Sequence, residues 1–167
     1  MTLDKIKKYV VIADGPAGIR ITKKYGVDDE GVFRLCENPW DDRLFDYYPD
    51  SKHDTLVNNL ERAEKAKEVH YQYATAIPTE TSLGQTFNEE LLETLGDKVI
   101  AEEMEFFGIH LWLAPASSIH RNILYGKSYE YYSEDPLLTG KLASAIIKGV
   151  QKHKNRGVTI KHLMKNY

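Results

Sequence analysis

The sequence has one cysteine, Cys36, so the 167-residue chain cannot close an internal disulfide, which fits a reducing cytosol. Cys36 itself reads as an ordinary loop thiol. Long apolar runs are also missing. The longest, residues 9–13, falls far short of the ~20 residues a membrane helix needs. The first eight residues, Met-Thr-Leu-Asp-Lys-Ile-Lys-Lys, carry charge but no apolar segment, so they do not read as a signal peptide. Positive charge is not in excess. Lys and Arg total 22 against 25 Asp and Glu, a formal charge of −3, which leaves no electrostatic footprint for nucleic acid and no polybasic membrane signal. The expected location is therefore the cytoplasm. With 42% hydrophobic and 28% charged residues the composition is that of a globular protein, excluding disorder and collagen-like repeats. No solenoid-type repeat is visible. The length fits one domain at about 100–200 residues each. Tyrosine is plentiful, at 11 residues, and its apolar body with a polar tip suits wet, hydrogen-bonding surfaces.

Along the chain, Thr2 can cap a short helix over residues 3–8. The continuous β-branched run 9–13, stopped by Asp14-Gly15-Pro16, predicts a strand buried on both faces, as in parallel sheets. Residues 19–49 have no clean period and read as a long surface excursion. Residues 54–69 read as a helix. Asn88, followed by Glu89 and Glu90, opens the clearest helix, with Leu92, Leu95, Val99 and Ile100 as its apolar stripe and Gly108 as its stop. A second strand follows over 109–115, with Trp112 expected in the core. Asp135-Pro136 starts the last helix, whose inner face is Leu138, Leu142, Ala145, Ile146 and Val150. A third short strand, 158–160, ends in Lys161-His162. The order strand, loop, helix, strand, loop, helix, strand predicts a parallel α/β sheet with right-handed crossovers.

In such folds the carboxyl ends of the strands carry the sites. The first strand ends in Asp14, the second leads to His120-Arg121, and the third ends in Lys161-His162. Together they bring a carboxylate, several cations and two imidazoles to one rim, where capping and local salt bridges are the plainer reading. The glycine turn after the first strand matches neither the dinucleotide nor the P-loop fingerprint. None of the six histidines has metal-ligand spacing, so neither metal nor cofactor is expected. His110 reads as a structural histidine. Glu130, Glu134 and Asp135 lie before a helix, where capping accounts for them. The tyrosine-rich stretch 125–136 also suits a polar, aromatic-edged pocket for a polyol.

Several motifs, in order, carry a family resemblance. They are Ala13-Asp14-Gly15-Pro16-Ala17-Gly18-Ile19-Arg20, Ala74-Thr75-Ala76-Ile77-Pro78, Leu111-Trp112-Leu113-Ala114-Pro115-Ala116, Ile119-His120-Arg121-Asn122-Ile123-Leu124, Tyr129-Glu130-Tyr131-Tyr132-Ser133-Glu134-Asp135-Pro136, Gly149-Val150-Gln151 and Ile160-Lys161-His162. The chain resembles the amino-terminal part of the catalytic barrel of glycoside hydrolase family 3, the β-glucosidase-type enzymes. The resemblance implies an α/β fold: an incomplete (β/α)8, TIM-barrel-like domain of about three parallel strands with crossover helices and long loops. Residues 1–167 would form a single partial barrel domain. The resemblance also implies a retaining mechanism using two carboxylates about 5–5.5 Å apart. The family's nucleophilic Asp lies beyond the Lys-His motif and its general acid later still, so the expectation is a truncated hydrolase, inactive alone, that keeps the sugar-holding rim. By resemblance Asp14, Lys161 and His162 would bind hydroxyls of the non-reducing glycosyl unit. Lys127 stands where the family has a sugar-contacting Arg, in Gly126-Lys127-Ser128-Tyr129-Glu130 against Gly-Arg-Asn-Phe-Glu, and the two are not interchangeable at a forked site. Two other readings stay open: a non-catalytic sugar-binding or interaction protein, and a hydrolase active only when assembled with further chains. The expected partners are a weakly bound β-glucoside or related small carbohydrate, and a second copy or the remainder of the barrel.

Overall fold

The computed structural model describes residues 10–21, 23–29, 31–34, 66–122 and 124–162. The expected helix at 3–8, most of that at 54–69, and Cys36 lie outside them. The chain divides into two compact units, Met1–Arg20 with Ala74–Tyr167, and Ile21–Tyr73.

The first unit holds a parallel three-stranded sheet in the order β1 (Ile12–Asp14), β5 (Leu111–Leu113), β6 (Gly157–Val158). Ala13 is level with Trp112, and Trp112 with Val158. A further parallel bridge, Ala116 to Lys161, extends the pairing past the ends of β5 and β6. The expected strand is therefore present, but it is not buried on both faces. Only Ala13 is buried, while Val10, Val11 and Ile12 are 68%, 42% and 53% exposed. The physical reason is that β1 is an edge strand, with β5 alone beside it among the described residues.

Two long helical stretches pack on each other beside this sheet. After the short α1 (Glu80–Gly84), α2 (Glu89–Leu95) runs through a wider turn, Gly96–Ala101, into α3 (Glu102–Phe106). Asn88 caps α2 as its sequence predicts, Oδ1 accepting from Leu91 N at 3.0 Å. Gly108, at φ 68°, follows the end of α3. The last helix, α4 (Pro136–Gln151), is capped by Asp135, whose Oδ1 accepts from Leu137 N at 2.8 Å. Leu92, Ile100 and Met104 from the first stretch and Leu142, Ile146 and Val150 from α4 are fully buried. They form an apolar core at helical spacing. Gly149 lets the helices approach closely: a Cβ there would collide with the Glu93 carbonyl.

The second unit is an antiparallel sheet in the order β3 (Gly31–Arg34), β2 (Lys24–Asp28), β4 (Glu68–Tyr71). This corrects the expectation of an irregular excursion after Ile19 and of a helix reaching Val69. Tyr25 pairs with Arg34 on one side and His70 on the other. The Tyr25 and His70 rings stack at 5.2 Å. The strand period was hidden because the buried position of β2 is Gly26, which has no apolar side chain to mark it.

Candidate functional site

The carboxyl ends of the three parallel strands converge as the topology requires. Asp14 closes β1, and Lys161 sits on the bridge beyond β6. Lys161 Nζ donates to Asp14 Oδ1 at 2.6 Å, joining residues 147 apart in sequence. Arg20 Nη1 lies 3.8 Å from Asp14 Oδ2 on the outer side. Burial resists ionisation of Asp14, but the Lys161 and Gly15 hydrogen bonds and the Lys161 and Arg20 charges outweigh it and hold the carboxyl below its usual range. The loop after Asp14 turns back sharply. Gly18 N donates to Gly15 O at 3.1 Å, and Gly15 takes φ 129°, a conformation that L side chains rarely adopt. Gly15 O also accepts from Trp112 Nε1 at 2.9 Å, tying the loop to the core.

His162 follows Lys161, and its Nδ1 lies 3.2 Å from the Tyr131 hydroxyl. Burial and the nearby Lys127 and Lys161 charges hold the His162 imidazole below its ordinary value. A neutral ring with one donor and one acceptor nitrogen is the form suited to hydroxyl groups. Lys127 is exposed in the turn before the 3₁₀ segment Ser128–Glu130.

The remaining rim residues do other work. His120 Nε2 donates to the Ser128 carbonyl at 2.7 Å and the Tyr131 carbonyl at 2.8 Å. Carbonyls only accept, so this nitrogen carries a proton. Thr81 Oγ1 reaches the carbonyls of Ser128, Tyr129 and Tyr131 at 3.0, 3.0 and 2.8 Å. His120 and Thr81 therefore clamp the turn that carries Lys127, Tyr129 and Glu130. Arg121 is exposed. His110 Nδ1 accepts from Val11 N at 3.1 Å, the structural part expected of it.

A cavity of about 270 Å³ opens here, lined by the 15–20 loop, by residues 74–76, and by Thr79, Glu80, Tyr129 and Glu130. Glu130 is not a helix cap: it precedes α4 by a turn and accepts from the Tyr129 hydroxyl at 2.9 Å. Glu80 is the first residue of the short α1. It is 1% exposed, accepting from Ala116 N at 2.9 and 3.1 Å. Burial pushes its carboxyl up to about 9, against the Ala116 N–H and Lys161 and with the help of Glu130. Sequence reasoning missed Glu80 because Ala116 lies 36 residues away.

The fold and this edge define an α/β protein that gathers polar side chains at the carboxyl end of a parallel sheet, where such folds hold ligands. Residues 61–166 match the glycosyl hydrolase family 3 N-terminal domain. Beta-glucosidase A of Butyrivibrio fibrisolvens is 42% identical over 92 residues, 55% of this chain and 11% of that protein. Thermostable beta-glucosidase B of Acetivibrio thermocellus is 37% identical over 93 residues, 56% of this chain and 12% of the relative. Among solved structures, beta-glucosidase 3B from Thermotoga neapolitana in complex with glucose is 36% identical, with a TM-score of 0.64 over 94% of this chain and 16% of that one. The chain belongs to glycoside hydrolase family 3, within its N-terminal domain. It spans only 11–12% of the length of these two curated relatives. Its fold is α/β, with a barrel-type parallel sheet of three strands; the described residues form no closed barrel.

Proposed function

We propose that this chain carries the sugar-holding rim of a β-glucosidase-type glycosidase. Asp14 and Lys161 take vicinal hydroxyls of a non-reducing glucosyl unit, His162 takes a hydroxyl of the same ring, and Lys127 reaches the exposed side. The observation that carries this reading is the Asp14–Lys161 pair, held at 2.6 Å at the carboxyl edge of the sheet in a family 3 chain. A carboxylate and an ammonium side by side accept from one hydroxyl and donate to its neighbour.

The chain on its own turns over no glycoside. Retaining hydrolysis needs a free nucleophilic carboxylate and a positioned acid about 5–5.5 Å away. Among the described residues, Asp14 is held by Lys161, Glu80 by the Ala116 N–H, and Glu130 by Tyr129. Binding is expected in the millimolar range, about −4 kcal/mol. Glucose titration followed by NMR tests it, with binding lost in Asp14→Asn and in Lys161→Ala. Nitrophenol release from nitrophenyl β-glucoside is the companion assay. Release that survives purification and vanishes in Asp14→Asn would favour an enzyme assembled from several chains.

A further inference from the structure

The sugar-holding reading leaves Glu80 without a role, although it is the most deeply buried carboxyl beside that edge. Its two oxygens meet the Ala116 N–H at 2.9 and 3.1 Å. Ala116 is bridged in parallel register to Lys161. On either side of it, Lys161 N donates to Pro115 O at 3.1 Å and Ser117 N donates to Lys161 O at 2.6 Å. The Ser118 hydroxyl donates to His162 O at 3.1 Å. Residues 115–118 thus form a strap that holds the backbone of both Lys161 and His162. A buried N–H at the centre of that strap needs an acceptor, and α1 supplies it from another part of the chain. A carboxyl at the first position of a helix can stay solvated, so its burial here calls for a use.

We propose that Glu80 is a positioning residue for the hydroxyl-binding pair Lys161 and His162, acting through the Ala116 N–H and the 115–118 strap. The proposal rests on the sugar-holding reading for its purpose but not for its structural content. Glu130 on the 3₁₀ segment, Lys161 held by the strap and Tyr132 beside α1 are the titratable groups that bear on Glu80. Burial pushes the Glu80 carboxyl up to about 9, and glutamine puts a neutral acceptor in its place.

Carbon-detected NMR of the full chain, which follows carbonyl carbons without loss to amide exchange at alkaline pH, tests this. In the wild type the Glu80 carboxyl carbon is expected to titrate near pH 9, and the Pro115 carbonyl carbon with it. Glu80→Gln keeps the Lys161 and His162 resonances in place at pH 7 and removes that titration. Glu80→Leu shifts those resonances and weakens glucose binding by about tenfold, the loss of one hydrogen-bonded acceptor. Rescue by Gln but not by Leu separates positioning from mere filling of space. Unmoved Lys161 and His162 resonances in Glu80→Leu, or a Pro115 titration that persists in Glu80→Gln, overturns the proposal. If Glu80→Leu fails to fold, the Glu80→Gln titration decides alone. Pro115 resonances that follow Glu80 in a chain that binds no glucose refute the sugar-holding reading and leave the positioning intact.

Discussion

Trp112 is fully buried at the centre of β5, and its indole N–H reaches the Gly15 carbonyl at 2.9 Å. One side chain therefore fills the space under the sheet and anchors the turn next to Asp14. Trp112→Ala is expected to cost about 3–5 kcal/mol, as a large-to-small core change that also removes one of the two hydrogen bonds to the Gly15 carbonyl. Urea denaturation checks it, and a loss below about 1 kcal/mol would mean the site collapses around the gap. The burial of Trp112 was legible because it stands between two leucines in an apolar run. The caps Asn88 and Asp135 were legible because their partners lie within three residues. Glu80, Thr81 and His120 were not, because each bonds to backbone that only the folded chain brings near. Asp14, Lys161 and His162 could be named from motif resemblance, but the contact between Asp14 and Lys161 is a product of strand register.

Helices were easier to read than strands. The α2 and α4 stripes repeat at helical spacing over two turns or more, whereas β1, β5 and β6 are two or three residues long and leave periodicity little to act on. What locks the helices together was not legible at all. His153, just past α4, places Nε2 2.9 Å from Asp97 Oδ1 and Nδ1 3.1 Å from Glu105 Oε1. A neutral imidazole has one N–H, so both contacts together require the imidazolium. The Asp97 hydrogen bond raises the His153 value above its ordinary 6.5, against burial and with help from Glu105. A raised value in the folded state means that stability is fully present below the unfolded value and is lost as pH rises through the folded one. Asp97 is lowered, chiefly by the same hydrogen bond, so its contribution is lost instead as pH falls through its folded value. The clamp is thus strongest in mildly acidic solution. The stability difference between the wild type and His153→Gln should shrink as pH is raised from about 6 to 8, measured as urea midpoints across that range. A constant difference would show that the ring stays neutral and makes only one of the two bonds.

At the scale of the molecule, the parallel sheet ends on both sides in an unpaired strand among the described residues, and Val10, Val11 and Ile12 face outward from β1. Such an edge invites pairing with another chain. We propose that the chain self-associates there. Light scattering at micromolar concentration is expected to give more than the 19.2 kDa monomer mass, and Val11→Lys to return it to the monomer. A wild-type monomer would mean the edge is tolerated. The discontinuity of the first unit has a further consequence, in time. Its opening strand, β1, is made before residues 21–73, yet its neighbour β5 begins only at Leu111. At about 5–20 residues per second, a nascent chain would carry β1 unpaired for on the order of ten seconds. Asp14 would wait longer still, since Lys161 is synthesised 147 residues after it. The pair that marks the candidate site would form only after β5 has been made, and holdase chaperones would meet the chain during that interval.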